Sequence, residues 1–423
     1  MPLHTMNERV AVVVDGYSTG ALYAPAFAAY GIGTVHVENR AERAGAFRAT
    51  YAPESYRAAY AFDGDWETLL RSLERHDVGW VTAGTESGVE LADKLAAVLG
   101  LEANNEPASS AARRDKLQMQ QALTGAGAPA AWHAAVTTAE EAYAVTAGHG
   151  GGPVVVKPLR SAGTDGVFCC TGPQEAAAAA GKLLGSRSVY GQTNASVLVQ
   201  EYLAGDEYMV NCLSADGQHT VTEIWRSVKT VLAGAPVYDY IDLVPPHHPD
   251  AQPVTAYVRD VLDALGTRWG PSHTEVINTA DGPRLVESAA RPQGTIDVSA
   301  VTRATGRNPV ANTVHAMLVP DLYTSRRLPT VPLAEARGVS FICPSSGRLR
   351  RDLDWSRLRT LPSYHSMLAP AGRAGEFVRR TKDLFTRPGA VYLIHRDRSV
   401  VERDHATIRQ WEHDGFYDIE VDD

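Results

Sequence analysis

Gly270-Pro271-Ser272-His273-Thr274-Glu275-Val276-Ile277-Asn278, followed by Asp281-Gly282-Pro283 and Arg284-Leu285-Val286-Glu287, carries the reading of this chain. Asp-Gly between two short apolar runs is a hairpin signature. A turn centred on Asp281 sets Glu275 opposite Glu287 on one side of the sheet. Cross-strand partners lie about 5 Å apart, and like charges there destabilise the pair. A divalent cation with oxygen ligands would compensate, since Mg2+ takes one or two carboxylates and completes its shell with phosphates. Strand alternation turns Ala289 and Arg291 to the face of Glu287. Two acids and an arginine suit phosphoryl transfer. Read alone, they would equally suit a surface salt bridge.

Two upstream stretches share this chemistry. Lys157 ends the apolar run Val154-Val155-Val156 and leads into Pro158-Leu159-Arg160-Ser161-Ala162-Gly163-Thr164-Asp165-Gly166. An ammonium at a strand end beside a loop of small residues offers N–H donors to phosphate oxygens. A solvated strand-end lysine before a turn would read the same way. Val197-Leu198-Val199-Gln200-Glu201-Tyr202-Leu203 then ends in amide and acid groups, with Glu207 shortly after. Such groups can accept from an adenine amino group and from ribose hydroxyls, although an edge strand with an acidic turn has the same composition.

Further out, Val10 to Val14, the Ala-rich segment from Thr19 to Tyr30 and Thr34 to Val37 give the strand, helix, strand rhythm of a parallel sheet. Trp66 to Arg75, Trp80 to Thr82 and Glu86 to Leu99 extend it to about residue 105. Gly16-Tyr17-Ser18-Thr19-Gly20 matches the nucleophile elbow of serine hydrolases, and His149-Gly150-Gly151-Gly152 resembles their oxyanion loop. The order is reversed, because that loop should precede the serine. A turn from the first strand into the first helix explains Gly16 to Gly20 more simply.

With 423 residues, 21% of them charged, the chain has room for about three domains and no compositional case for disorder. Forty basic against forty-nine acidic residues, net charge −9, argue against nucleic acid or an anionic membrane as partner. Four cysteines without CxxC spacing exclude a disulfide scaffold and a structural zinc site. The polar start, Met1 to Glu8, and the five-residue run Val10 to Val14 do not make a signal peptide. No stretch approaches the roughly 20 apolar residues of a membrane span. A cytoplasmic protein is expected.

Taken together and in order, the motifs resemble the ATP-grasp superfamily. They are Lys116 in an Arg-Asp-Lys helix, Lys157-Pro158 with its Ser/Gly loop, the Gln200-Glu201-Tyr202-Leu203 hinge, Glu207, His273-x-Glu275, and Glu287-x-x-x-Arg291-x-x-Gly294. The Glu-x-Ala-x-Arg form of the last motif is similar to the carboxylate-amine ligases that include L-amino-acid ligases. The resemblance implies an α/β fold of ATP-grasp architecture: an N-terminal open parallel α/β domain (1–110), a central nucleotide-binding α+β lid (111–205), a core carrying the metal-binding hairpin (206–318) and a C-terminal mixed α+β subdomain (319–423). It implies that Lys116 and Lys157 contact ATP phosphates under a lid containing Ser161 and Gly163. Gln200, Glu201, Tyr202 and Leu203 would hold adenine, Glu207 the ribose, Glu275 and Glu287 Mg2+ (or Mn2+), and Arg291 an acyl phosphate.

Ala289 stands where many members carry a metal-binding Asn. The expected reaction is ATP-dependent amide formation between a small acid and an amine, with ADP and phosphate released. A carboxylase, a purine-pathway ligase and a non-catalytic nucleotide binder remain alternatives, and a homodimer is left open.

Overall fold

The computed structural model describes residues 9–42, 45–232, 235–324, 332–368 and 372–420. Met1 to Glu8 lie outside them. Strands β1 (Val10–Val14), β2 (Gly33–Asn39), β3 (Ala58–Phe62) and β4 (Val78–Ala83) form a parallel sheet of order β3-β2-β1-β4. All five residues of β1 are buried, as a strand covered on both faces requires. The helices Tyr23–Ala28, Trp66–Leu73 and Val89–Val98 provide that cover. Open α/β sheets bind ligands beyond their strand carboxyl ends. Here those ends are Asp15 to Ser18 and Gly84 to Glu86. The two turns touch so closely that a Cβ on Gly84 would lie 2.5 Å from the Asp15 carbonyl oxygen.

The helix Lys116–Gly125, N-capped by Asp115, leads into an antiparallel sheet of β5 (His133–Val136), β6 (Val154–Pro158), β7 (Phe168–Cys170) and β8 (Val197–Glu201), in the order β5-β8-β6-β7. Ala139–Gly148 and Pro173–Leu183 cover it through small side chains, chiefly Ala142, Ala176, Ala179 and Ala180.

The remaining strands are β9 (Gly205–Ala215), β10 (Gln218–Leu232), β11 (Ala235–Leu243), β12 (Gly270–Thr279), β13 (Gly282–Ala289), β14 (Glu335–Ser340), β15 (Gly347–Leu349), β16 (Tyr364–Leu368), β17 (Phe377–Val378), β18 (Ala390–His395) and β19 (Ile419–Glu420). Eight of them form one sheet, β13-β12-β9-β10-β11-β14-β18-β16, and β17-β15-β19 form a small separate one. The strands of the expected C-terminal subdomain are therefore not all set apart: β14, β16 and β18 extend the core sheet. The helix Ala251–Ala264 covers part of this sheet with Val254, Tyr257, Val258, Val261 and Leu262, spaced for one helical face.

The decisive hairpin closes one residue differently from the expected turn. Thr279 pairs with Gly282 across a two-residue Ala280-Asp281 connection. An unbroken ladder from there would place Glu275 opposite Val286. Val286 instead bulges out of register, and Glu275 faces Glu287.

Candidate active site

Register sets the acidic groups together. Glu275 is paired with Glu287 on β13, and Ile277, two residues along the same face of β12, is paired with Glu207 on β9. Glu207 is paired with Ser227 on β10; Lys229 follows on the same face and is paired with Tyr238 on β11. This face floors a cavity of about 660 Å³. β6 and the loop after it supply Lys157, Ala162, Gly163 and Thr164; Gln200 to Leu203, at the end of β8, form one edge; Ser18, Gly84, Thr85 and Glu86 come from the N-terminal sheet. Lys116 and Arg291 to Thr295 complete the wall, and from the C-terminal region come Ser340, Phe385, Arg387 and Tyr392.

Charge pairing within the cavity is dense. Lys116 Nζ lies 2.6 Å from Glu287 Oε2 and donates to the Ser161 carbonyl at 3.2 Å. Lys157 Nζ donates to the carbonyl of the bulged Val286 at 3.3 Å. Lys229 Nζ and Glu207 Oε2 are 2.5 Å apart, with the ammonium over the Tyr238 ring. Arg291 donates from Nε (3.0 Å) and Nη2 (2.8 Å) to Glu86 Oε2, the carboxylate being buried and the guanidinium little exposed. Burial alone would raise Glu287, but Lys116, Lys157 and Arg291 override it and hold the carboxyl at about 2. Burial, reinforced by Glu275 and Glu287, raises Glu207 against the opposing pull of Lys229. Burial and neighbouring Lys116 push Lys157 down to about 8.

No group of three or more His, Cys, Asp or Glu side chains placed to hold a metal exists among the described residues. The two facing glutamates nevertheless fit a hard cation whose other ligands are phosphate oxygens. Ala289, paired with His273, adds no oxygen.

Of the sequence-predicted site residues, Lys116, Lys157, Gly163, Gln200, Glu201, Tyr202, Leu203, Glu207, Glu275, Glu287 and Arg291 all border this one cavity. Ser161 does not: its hydroxyl donates to Asp165 Oδ2 at 2.7 Å and its carbonyl receives Lys116, so it shapes the loop after β6. Glu201 borders the cavity, but its carboxylate accepts the Trp132 N–H at 2.8 Å. Gln200 is buried with Nε2 unpartnered, a donor in need of an acceptor. His273 is held by Asn211 Oδ1 (2.8 Å) and Glu275 Oε1 (3.3 Å).

Ser18 has a positive φ of 52°, but its hydroxyl receives the Thr295 N–H at 3.4 Å rather than meeting an imidazole. Sequence reasoning missed Glu86, Tyr238 and Arg387. Glu86 had an available signal, its position at a strand carboxyl end; Tyr238 and Arg387 had none.

The ATP-grasp domain family matches residues 151–299. Dapdiamide A synthase of Enterobacter agglomerans is 32% identical over 427 residues, which is 97% of each chain. An L-amino acid ligase structure from Bacillus licheniformis superposes with a TM-score of 0.74 at 15% identity, over 98% of this chain and 99% of that one. N5-carboxyaminoimidazole ribonucleotide synthetase from Thermus thermophilus superposes with a TM-score of 0.65 at 14% identity, over 95% and 98%. At such identities the structures show a shared fold; the synthase match, with the motifs in place, shows the family. The chain belongs to the ATP-grasp carboxylate-amine ligases, enzymes that form amide bonds at the expense of ATP.

Proposed function

We propose that this ligase joins a small carboxylic acid or amino acid to an amine or amino acid through an acyl phosphate, releasing ADP and phosphate. The observation that carries the reading is the Glu275–Glu287 pair, brought face to face in a cavity also bordered by Lys116, Lys157, the hinge and Glu207. Lys116 and Lys157 would bind phosphate oxygens, Gln200 Nε2 and the hinge backbone the adenine, and Glu207 the ribose. Residues 111–205 would act as the lid over the core 206–318, with 1–110 and 319–423 walling the substrate side.

Glu275 and Glu287 would hold Mg2+ or Mn2+, which when bound neutralises phosphate charge. Lys116, now paired to Glu287, can turn to the phosphates once that glutamate has another partner. Arg291, fixed by Glu86, presents its guanidinium beside the glutamates, where charge develops on the transferring phosphoryl group. The closed lid excludes water that would hydrolyse the acyl phosphate. No side chain needs to act as a covalent nucleophile.

Phosphate release screened over pairs of amino acids and small acids, with Glu287→Ala as the blank, tests the reading. An active acid should also yield a hydroxamate with hydroxylamine. If no acid or pair exceeds the blank and no hydroxamate forms, the ligase assignment of this cavity is wrong.

A further inference from the structure

Among the described cations bordering the cavity, Lys157 and Arg387 have no carboxylate within 4.0 Å, and of the two only Arg387 has no glutamate acting on it. Lys116, Lys229 and Arg291 each have a carboxylate within 2.8 Å, and Lys157 sits among the three glutamates. Arg387 also lines the cavity, yet among the described residues no carboxylate lies within 4.0 Å of it. Its one hydrogen bond there is Nη1 to Ser340 Oγ at 3.0 Å. The charged neighbours that steady other buried arginines are replaced here by the phenols of Tyr392 and Tyr238. Burial accordingly lowers the Arg387 pKa, whereas Glu86 raises that of Arg291. A half-buried guanidinium facing a cavity without a counter-charge is costly unless an anion arrives.

Its position narrows what that anion is. Ser340 ends β14, four strands from β12 in the sheet order, roughly 19 Å at the usual strand spacing and less through space once side chains reach inward. The acid being activated must meet the phosphoryl group beside Glu275, Glu287 and Arg291. The acceptor amine then sits one acyl group further on. If that acceptor is an amino acid, its own carboxylate reaches a donor on the order of 10 Å from the phosphoryl group, by ordinary bond and hydrogen-bond lengths. Arg387 and Ser340 border the same cavity as the glutamates, at its β14 end. An arginine fork suits a carboxylate there, and a hydroxyl beside it adds a second donor.

We infer that Arg387 and Ser340 form a subsite for the unreacted carboxylate of the amine substrate, so that the acceptor is an amino acid rather than a simple amine. The inference rests on the ligase reading. It is tested with an amino-acid acceptor found in the phosphate-release screen and the carboxamide of the same amino acid, which lacks the charge. The quantity measured is the ratio of kcat/KM for the two. A lost charge-assisted contact should lower that ratio about 10- to 100-fold in Arg387→Ala. Arg387→Lys, which keeps charge without the fork, should give an intermediate ratio and supplies the comparison if the alanine variant does not fold.

Ratios equal to wild type in both variants overturn the subsite, as does a rise in KM for ATP that matches the loss for both acceptors. Hydroxylamine separates the two readings. Wild-type hydroxamate with an unmoved ratio sinks the subsite alone, and absence of hydroxamate for every acid sinks the ligase reading itself.

Discussion

Replacing Glu86 by Gln removes one charge from a buried cluster while keeping its shape, and it tests what holds Arg291 in place; Glu86 also lies 3.5 Å from Arg114 Nη1, which keeps Glu42 at 2.8 Å. Arg291 reaches across from the segment after β13 to a turn of the N-terminal sheet, with two donors on a single carboxylate oxygen at 3.0 and 2.8 Å and side chains only 11% and 8% exposed. Removing one member of such a pair leaves an unmatched buried charge and costs about 3–5 kcal/mol. Glu287 already attracts Arg291 and would take part of the load, so the lower end, about 3 kcal/mol, is expected.

The freed guanidinium should swing toward Glu287, into the space proposed for the phosphoryl group. Displacement of about 1 Å near reacting groups can cost on the order of a hundredfold. We therefore expect kcat for phosphate release to fall about 10- to 100-fold with little change in KM for ATP, and the urea midpoint to drop. Glu86→Asp should recover part of both. Wild-type kcat and an unmoved urea midpoint in Glu86→Gln would refute the claim that this carboxylate positions Arg291.

Lys157 titrates near 8 because of burial and Lys116, so ATP affinity should weaken as pH rises through 8. Over the same range the unfolded chain, with Lys157 at its ordinary 10.5, binds more protons than the folded one, so this group should make the ATP-free protein more stable from pH 8 to 10.5. Lys157→Arg should flatten both profiles, and a wild-type ATP affinity independent of pH between 7 and 9.5 would contradict the assignment. Gln200→Leu removes a buried, unpartnered donor; it should leave the melting temperature of the ATP-free protein unchanged or raised while ATP affinity falls about tenfold, and a lower melting temperature at constant affinity would count against the adenine role. Gly205 has a φ of 155° and a Cβ there would lie 2.2 Å from the Asn278 carbonyl oxygen, so Gly205→Ala should cost at least about 1–3 kcal/mol in urea unfolding.

How much of this was legible depended on how far the partners lie apart in sequence. β1, β2 and β4 announce themselves as β-branched apolar runs, whereas β3, Ala-Ala-Tyr-Ala-Phe, has no β-branched residue and shows no alternation to mark it. The runs Val154 to Lys157 and Val197 to Gln200 were readable because each forms from local pattern, whereas β5, His-Ala-Ala-Val, carries no such mark. The Arg291–Glu86 pair was not, since 205 residues separate the partners and only the docking of the N-terminal sheet against the core joins them. Side chains diverted to structural work were equally hidden: nothing in Gln200-Glu201-Tyr202-Leu203 shows that Glu201 is committed to Trp132. Between β8 and the hairpin, Lys229 lines the cavity. Trp225 is fully buried in the core, and Tyr240 packs under Arg337 and against His405.

The glutamate pair was legible, but the hairpin achieves it by another route. A two-residue connection alone would set Glu275 against an apolar valine and send Glu287 to the opposite face of the sheet, because a one-residue slip exchanges the faces. The Val286 bulge corrects that slip at the point where the charges must meet. It also turns the Val286 carbonyl toward the lid, where Lys157 Nζ takes it. One irregular residue thus brings two acids together and gives the lid lysine an anchor before any nucleotide is bound. The charge repulsion created on β12 and β13 is then offset by Lys116, which ties Glu287 to the Ser161 carbonyl of the lid loop. Hairpin and lid loop are thus joined through the groups proposed to engage a triphosphate, and on that proposal nucleotide binding would exchange these internal contacts for phosphate contacts. In such an exchange the proposed lid would respond to what occupies the glutamate pair.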